Sequence, residues 1–205
     1  KQKLFYIWSQ KNIKTQWSNS MTKSATFCIL PWISLATNAS GNLRVCCNVI
    51  PGKGFIKKPD IDKESKINPY KIFKDDIQEA WNSETYTTLR KQMLAGERPG
   101  MCARCFKEED AGIVSSRQRW NNNTWYDPNK EYTVDAPFDI KYVDIRLSNL
   151  CNLKCRMCNP YTANLWVKEW HLVNDALEPS EYERLSRMNW PTLDKVWENL
   201  FSIAH

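Results

Sequence analysis

Alternation and helical spacing divide the chain into short elements. In Trp32–Ala36, Ile33 and Leu35 share one face of an extended segment, and Leu43 and Val45 share a face in a return strand. Asn38-Ala39-Ser40-Gly41-Asn42 between them supplies turn residues, and Gly41 can take positive φ, so a β-hairpin is predicted. Residues 51–70 hold three prolines and two glycines among many charges and read as a loop. Two helices follow. Ile77, Ala80 and Trp81 mark the first; Tyr86, Leu89 and Met93 line one face of the second, with Ser83 as N-cap, Gly96 as C′ and Pro99 beyond it. A further short helix is expected after Cys102 and Cys105, through about Arg119.

Residues 120–139 are rich in Asn, Pro and charge and read as a linker. Tyr142–Ser148 then alternates, with Val143, Ile145 and Leu147 on one side and Asp144, Arg146 and Ser148 on the other, which predicts a strand running into a cysteine cluster. Helical spacing returns in Thr162–Asp175 (Leu165, Trp166, Trp170, Val173) and in Pro191–His205 (Leu193, Val196, Trp197, Leu200, Ile203). No internal repeat is visible. Residues 1–20 carry neither period, and the first Met is Met21, so they are expected to be a loosely packed extension of a fold that starts near Met21. The expected organisation is thus an extension (1–20), an α+β module of hairpin and helices (21–119), a linker (120–139) and a βα segment (140–205).

Composition narrows the classes. The 205 residues are long enough to bury a core, and no apolar run approaches the ~20 residues of a membrane helix. The N-terminus has no signal-peptide pattern. The net charge of +6 is concentrated early: residues 1–60 hold nine basic residues and one acid. No nucleic-acid motif accompanies that excess, so nucleic acid is not the expected partner. The ten tryptophans are read as packing residues. His171 and His205 have no partner ligands at metal spacing. Asn38-Ala39-Ser40 and Asn122-Asn123-Thr124 match the glycosylation acceptor pattern but would stay bare in a cytoplasmic protein.

Eight cysteines without an export signal read as metal ligands rather than a disulfide scaffold. Cys151, Cys155 and Cys158 form a C-x3-C-x2-C run in the loop after the strand, three thiols that a short loop can aim at one centre. A structural zinc site is closed by four ligands, whereas three suit an iron–sulfur cluster with one iron left open. The second set is Cys28-x12-Gly41-x4-Cys46 followed by Cys102-x2-Cys105, with Cys47 a fifth thiol beside Cys46. Four cysteines can close a second iron–sulfur cluster or a zinc site, and spacing alone does not separate these.

The run VDIRLSNLCNLKCRMC resembles the first strand and cluster loop of the radical S-adenosylmethionine (SAM) superfamily. The resemblance implies that Cys151, Cys155 and Cys158 ligate a 4Fe-4S cluster whose open iron binds SAM, for 5′-deoxyadenosyl-radical hydrogen abstraction. It implies a small reductant such as ferredoxin or flavodoxin as partner, with an unidentified peptide or small molecule as substrate. The family's aromatic residue before the third cysteine is Met157 here, which weakens the implied contact to the SAM adenine. The Cys28, Cys46, Cys102 and Cys105 set, with Leu-Pro-Trp after Cys28, resembles the SPASM and twitch modules that carry a second, auxiliary Fe-S cluster; Cys47 could replace Cys46.

The family fold is a partial (β/α)6 barrel, and only its first βα unit can be accommodated after the linker. The chain has no glycine after Gly112, so the family's Gly-rich SAM-binding segment is absent. The expectation is an N-terminal part of a longer enzyme, inactive alone. Two other classes remain open: a two-cluster electron-transfer protein, and a zinc-stabilised interaction module.

Overall fold

The computed structural model describes residues 24–50, 53–59, 68–172, 179–186 and 190–203. The expected extension over 1–20, the start at Met21, His205 and the His171 side chain lie outside the described residues, as does much of the 51–70 loop. The fold is a small α+β arrangement. In chain order it has α1 (Leu30–Ile33), β1 (Ser34–Thr37), β2 (Leu43–Arg44), α2 (Ile77–Trp81), α3 (Glu84–Leu94), α4 (Ala103–Asp110), α5 (Ser116–Asn121), β3 (Tyr142–Asp144), α6 (Pro179–Ser186) and α7 (Asp194–Ile203). The sheet order is β2-β1-β3.

The hairpin forms with Ala36 opposite Arg44 and Thr37 opposite Leu43. Asn38 Oδ1 accepts from the Ser40 and Asn42 amides, and Gly41 takes φ 73°. A Cβ at Gly41 would come within 2.7 Å of the Phe73 ring, so the turn needs glycine for space as well as conformation. Trp32 and Ile33, expected in the strand, belong instead to α1, where Pro31 in the first turn presets the helical φ. All four residues of β1 are buried, which is why alternation misplaced the strand start. Within the expected loop, Phe55 pairs with Arg44 and Lys57 with Pro69 as isolated bridges, extending the hairpin.

Asp76 caps α2 by accepting from the Gln78 and Glu79 amides. Ser83 stands at the N-cap of α3 without a side-chain capping bond, and Tyr86, Leu89, Arg90 and Met93 form its buried face. Gly96, at φ 81°, ends the helix: its amide bonds Met93 O while the Glu97 amide bonds Gln92 O. Tyr86 Oη donates to Ser34 O at 2.7 Å, tying α3 to β1. The single helix expected up to Arg119 is two. Gly112 (φ 75°) stops the chain after α4, and a Ser115–Gln118 capping box starts α5.

Residues 120–139 run across the core. Trp32 Nε1 donates to Thr133 O, and Trp81 Nε1 to Ala136 O and Pro137 O, while Tyr132 and Ala136 are buried. β3 then pairs parallel to β1, Leu35 opposite Val143. It is shorter than the alternation suggested: the paired register ends with Ala36 opposite Asp144, the Arg146 amide donates to the Thr37 side chain instead of to a ladder carbonyl, and Ser148 turns the chain with φ 67°. The helix expected over Thr162–Asp175 is replaced by 3-10 turns at Asn164–Trp166 and Trp170–Leu172; residues 173–175 lie outside the described set. Bonds from Trp166 N to Ala163 O and from Val167 N to Asn164 O keep the tighter three-residue period. α7 begins at Asp194, and buried Asn199 moors it by donating to Ile72 O and Asp75 O. α6, unforeseen, buries Leu185. No barrel is present among the described residues, and none of their helices is long and apolar enough to cross a membrane.

Candidate functional site

Four distant cysteines converge. Cys28 precedes α1, Cys46 follows β2, Cys102 ends the turn before α4, and Cys105 lies in the first turn of α4. All four line one small cavity, together with Leu30, Val49, Met93 and Arg117. Backbone contacts explain the convergence. Ile50 N donates to Met101 O, bringing the Cys46 loop to the Cys102 turn, and buried Arg44 holds that loop through bonds to Cys47 O and Val49 O.

The thiols share an electrostatic environment. Burial, followed by the nearness of Cys46, raises Cys28 well above the ordinary thiol range. Burial pushes Cys46 up to about 11, with Cys47 and Cys105 adding to the effect. Burial raises Cys102 too, with Cys46 and Cys105 adding to it. Protonated, these are inert buried thiols; a bound cation reverses this preference and draws four thiolates toward itself. The donor set fits an iron–sulfur cluster, with four sulfurs around a cavity whose remaining lining is apolar at Leu30, Val49 and Met93 and polar at Asn48, Ser116 and Arg117. Among the described residues, no three His, Cys, Asp or Glu side chains are drawn close enough to hold a single ion.

Cys47 is not part of this cavity lining. Its thiol is raised by burial and by a hydrogen bond to the Asp144 carboxylate of β3, on the sheet side.

Cys151, Cys155 and Cys158 occupy one surface loop, with Cys155 exposed and the other two partly buried. The loop's backbone is held from outside. Cys151 N donates to Asn164 Oδ1 at 3.0 Å, Trp166 Nε1 donates to Cys155 O at 3.0 Å, and Cys158 N closes a turn onto Cys155 O. Met157, the expected adenine contact, is 98% exposed. The two sets of thiols therefore differ: one lines an interior cavity, and the other lies along a pinned surface loop.

Several supporting residues were missed from sequence. Arg117 and Asn121 donate from α5 to the Phe27 carbonyl that precedes Cys28, and Asn149 and Asn164 hold the second loop. The only local signal was Ser115-x-x-Gln118, a capping-box pattern that marks the start of the helix carrying Arg117.

The comparisons with known proteins bear on the first set. No curated protein and no solved structure matches the chain. Residues 28–106, the segment that brings Cys28, Cys46, Cys102 and Cys105 to one cavity, match the family model of SPASM, the iron–sulfur cluster-binding domain.

Proposed function

We propose that the chain is the auxiliary-cluster module of a radical SAM enzyme together with the opening of its catalytic core. The observation that carries this is the shared cavity of Cys28, Cys46, Cys102 and Cys105 within the SPASM segment. SPASM domains occur in radical SAM enzymes, and the C-x3-C-x2-C loop of Cys151, Cys155 and Cys158 has the ligand spacing such a core requires. When loaded, a cluster on Cys151, Cys155 and Cys158 would supply one-electron chemistry to SAM and so hydrogen abstraction from a substrate.

The chain's own residues do the rest. Cys28, Cys46, Cys102 and Cys105 bind the auxiliary cluster in a pocket that Leu30, Val49 and Met93 keep dry. Sulfurs set around a cavity suit a cluster, where each thiolate takes its own iron, better than zinc, where all four meet at one centre. Asn164 and Trp166 hold the backbone of the second loop, which carries its three thiols together at the surface. In this reading β3 is the first strand of the barrel, a ferredoxin or flavodoxin is the reductant, and the substrate is a peptide or small molecule.

Anaerobic reconstitution tests the assignment. About four irons should load on each cysteine set, with visible charge-transfer absorption. Colourless protein with stoichiometric zinc would replace this reading by an interaction module. SAM turnover is then assayed in a chain extended through the remaining barrel strands, where absence of 5′-deoxyadenosine would defeat the radical SAM assignment.

A further inference from the structure

The SPASM match ends at residue 106, yet the site is held from beyond it. Asn121 of α5 grips the backbone on both sides of Cys28: Nδ2 donates to Phe27 O at 2.7 Å, and Ile29 N donates to Oδ1 at 2.9 Å. Four residues earlier on α5, Arg117 lies along the wall of the four-cysteine cavity. Its guanidinium is fixed on every side. Nε and Nη2 form a fork with the Glu109 carboxylate at 2.9 and 2.5 Å, Nη1 donates to Phe27 O at 2.6 Å, and its plane lies over the Phe106 ring. Ser115 Oγ donates to the same carboxylate, so Glu109 is also held in place.

The pair is asymmetric toward the cavity. Arg117 lines it and Glu109 does not. Both side chains are about nine-tenths buried, where a unit charge acts over a longer range than in water. A cluster on four thiolates is a net anion and gains a further negative charge when reduced. A cation fixed on its near side therefore favours the reduced state.

Resting on the iron–sulfur reading of this cavity, we propose that Arg117, oriented by Glu109, is a positioning residue that raises the reduction potential of the auxiliary cluster. The module that sets the cluster's chemistry accordingly extends through α5.

The test uses the full chain carrying Cys151→Ser, Cys155→Ser and Cys158→Ser, so that one cysteine set remains, reconstituted anaerobically and titrated with dithionite under EPR. Arg117→Gln alone leaves Glu109 buried and unpaired, so the double variant Arg117→Gln/Glu109→Gln is measured beside it to preserve folding. The expected result is unchanged iron content with a midpoint shifted to lower potential in the double variant. Arg117→Lys, which keeps the charge and loses the fork, should stay near the parent midpoint. An iron-loaded double variant at the parent midpoint, or equal shifts in the Lys and Gln variants, overturns the proposal alone. A parent protein that takes up no iron overturns it together with the iron–sulfur reading.

Discussion

Asn164 donates its backbone N–H to the carbonyl of Asn149 at 2.8 Å, closing the base of the loop that carries Cys151, Cys155 and Cys158. The two side chains complete the closure. Asn164 Oδ1 accepts from Cys151 N, and Asn149 Nδ2 donates to Pro160 O and Leu185 O at 2.8 and 2.9 Å. Asn149 is 1% exposed, so both carbonyls depend on it rather than on water. Asn149→Ala should cost ~1–3 kcal/mol in urea unfolding and speed hydrogen exchange at the Cys151 amide. A stability within ~0.5 kcal/mol of the parent would show that the loop stands without it.

Arg90 supplies a second buried anchor. Its side chain lies 4.6 Å from the Trp81 ring centroid and 4.9 Å from that of Tyr86, while Nε donates to Pro31 O and Nη1 to Val134 O. It thus joins α1, α3 and the 120–139 segment. Arg90→Met should destabilise the chain by about 3 kcal/mol, since it strands two carbonyls and removes the stacking. Arg90→Lys should rescue little, because an ammonium lacks the planar fork. Thermal unfolding of both variants checks this, and a Lys variant as stable as the parent would contradict it.

Tyr70 gives the fold an alkaline limit. Burial, then its hydrogen bond to Glu79, pushes its phenol from 10 up to about 12. The folded state holds this proton more tightly than the unfolded chain. Its contribution is therefore whole below pH 10 and is lost as pH rises through about 12. Tyr70→Phe should flatten that part of the stability profile, which denaturant midpoints measured across the window will show; an unaltered slope would assign the loss to other groups.

Cys46 and Cys47 should separate cleanly despite being adjacent. Cys46 lines the four-cysteine cavity, whereas Cys47 meets Asp144. Cys46→Ser should abolish or severely reduce iron loading on the N-terminal set, and Cys47→Ser should leave it close to the parent's. The reverse pattern in iron analysis would make Cys47 the ligand.

The legible parts of the fold were those with local chemistry. α3 could be read because Tyr86, Leu89 and Met93 repeat on one face and Gly96 stops it, and the hairpin because Gly41 marks its turn. The rest depended on contacts remote in sequence. α1 is only four residues long, too short for a period to emerge. The parallel pairing of Leu35 with Val143, which joins the two halves of the chain, leaves no local trace. The candidate site divides the same way. Spacing pointed to the cysteines, but Arg117 and Asn121 are ordinary polar residues of a short helix until folding places them beside Cys28.

Whether Cys28, Cys46, Cys102 and Cys105 hold an iron–sulfur cluster is measured most directly by Mössbauer spectroscopy. The sample is the full chain with Cys151, Cys155 and Cys158 replaced by serine, reconstituted with iron-57 and sulfide. One cluster per chain, with about four irons and equal acid-labile sulfide, is predicted, lost when Cys28 and Cys105 are replaced as well. A chain that retains only zinc, or whose iron is indifferent to those two cysteines, would contradict the account.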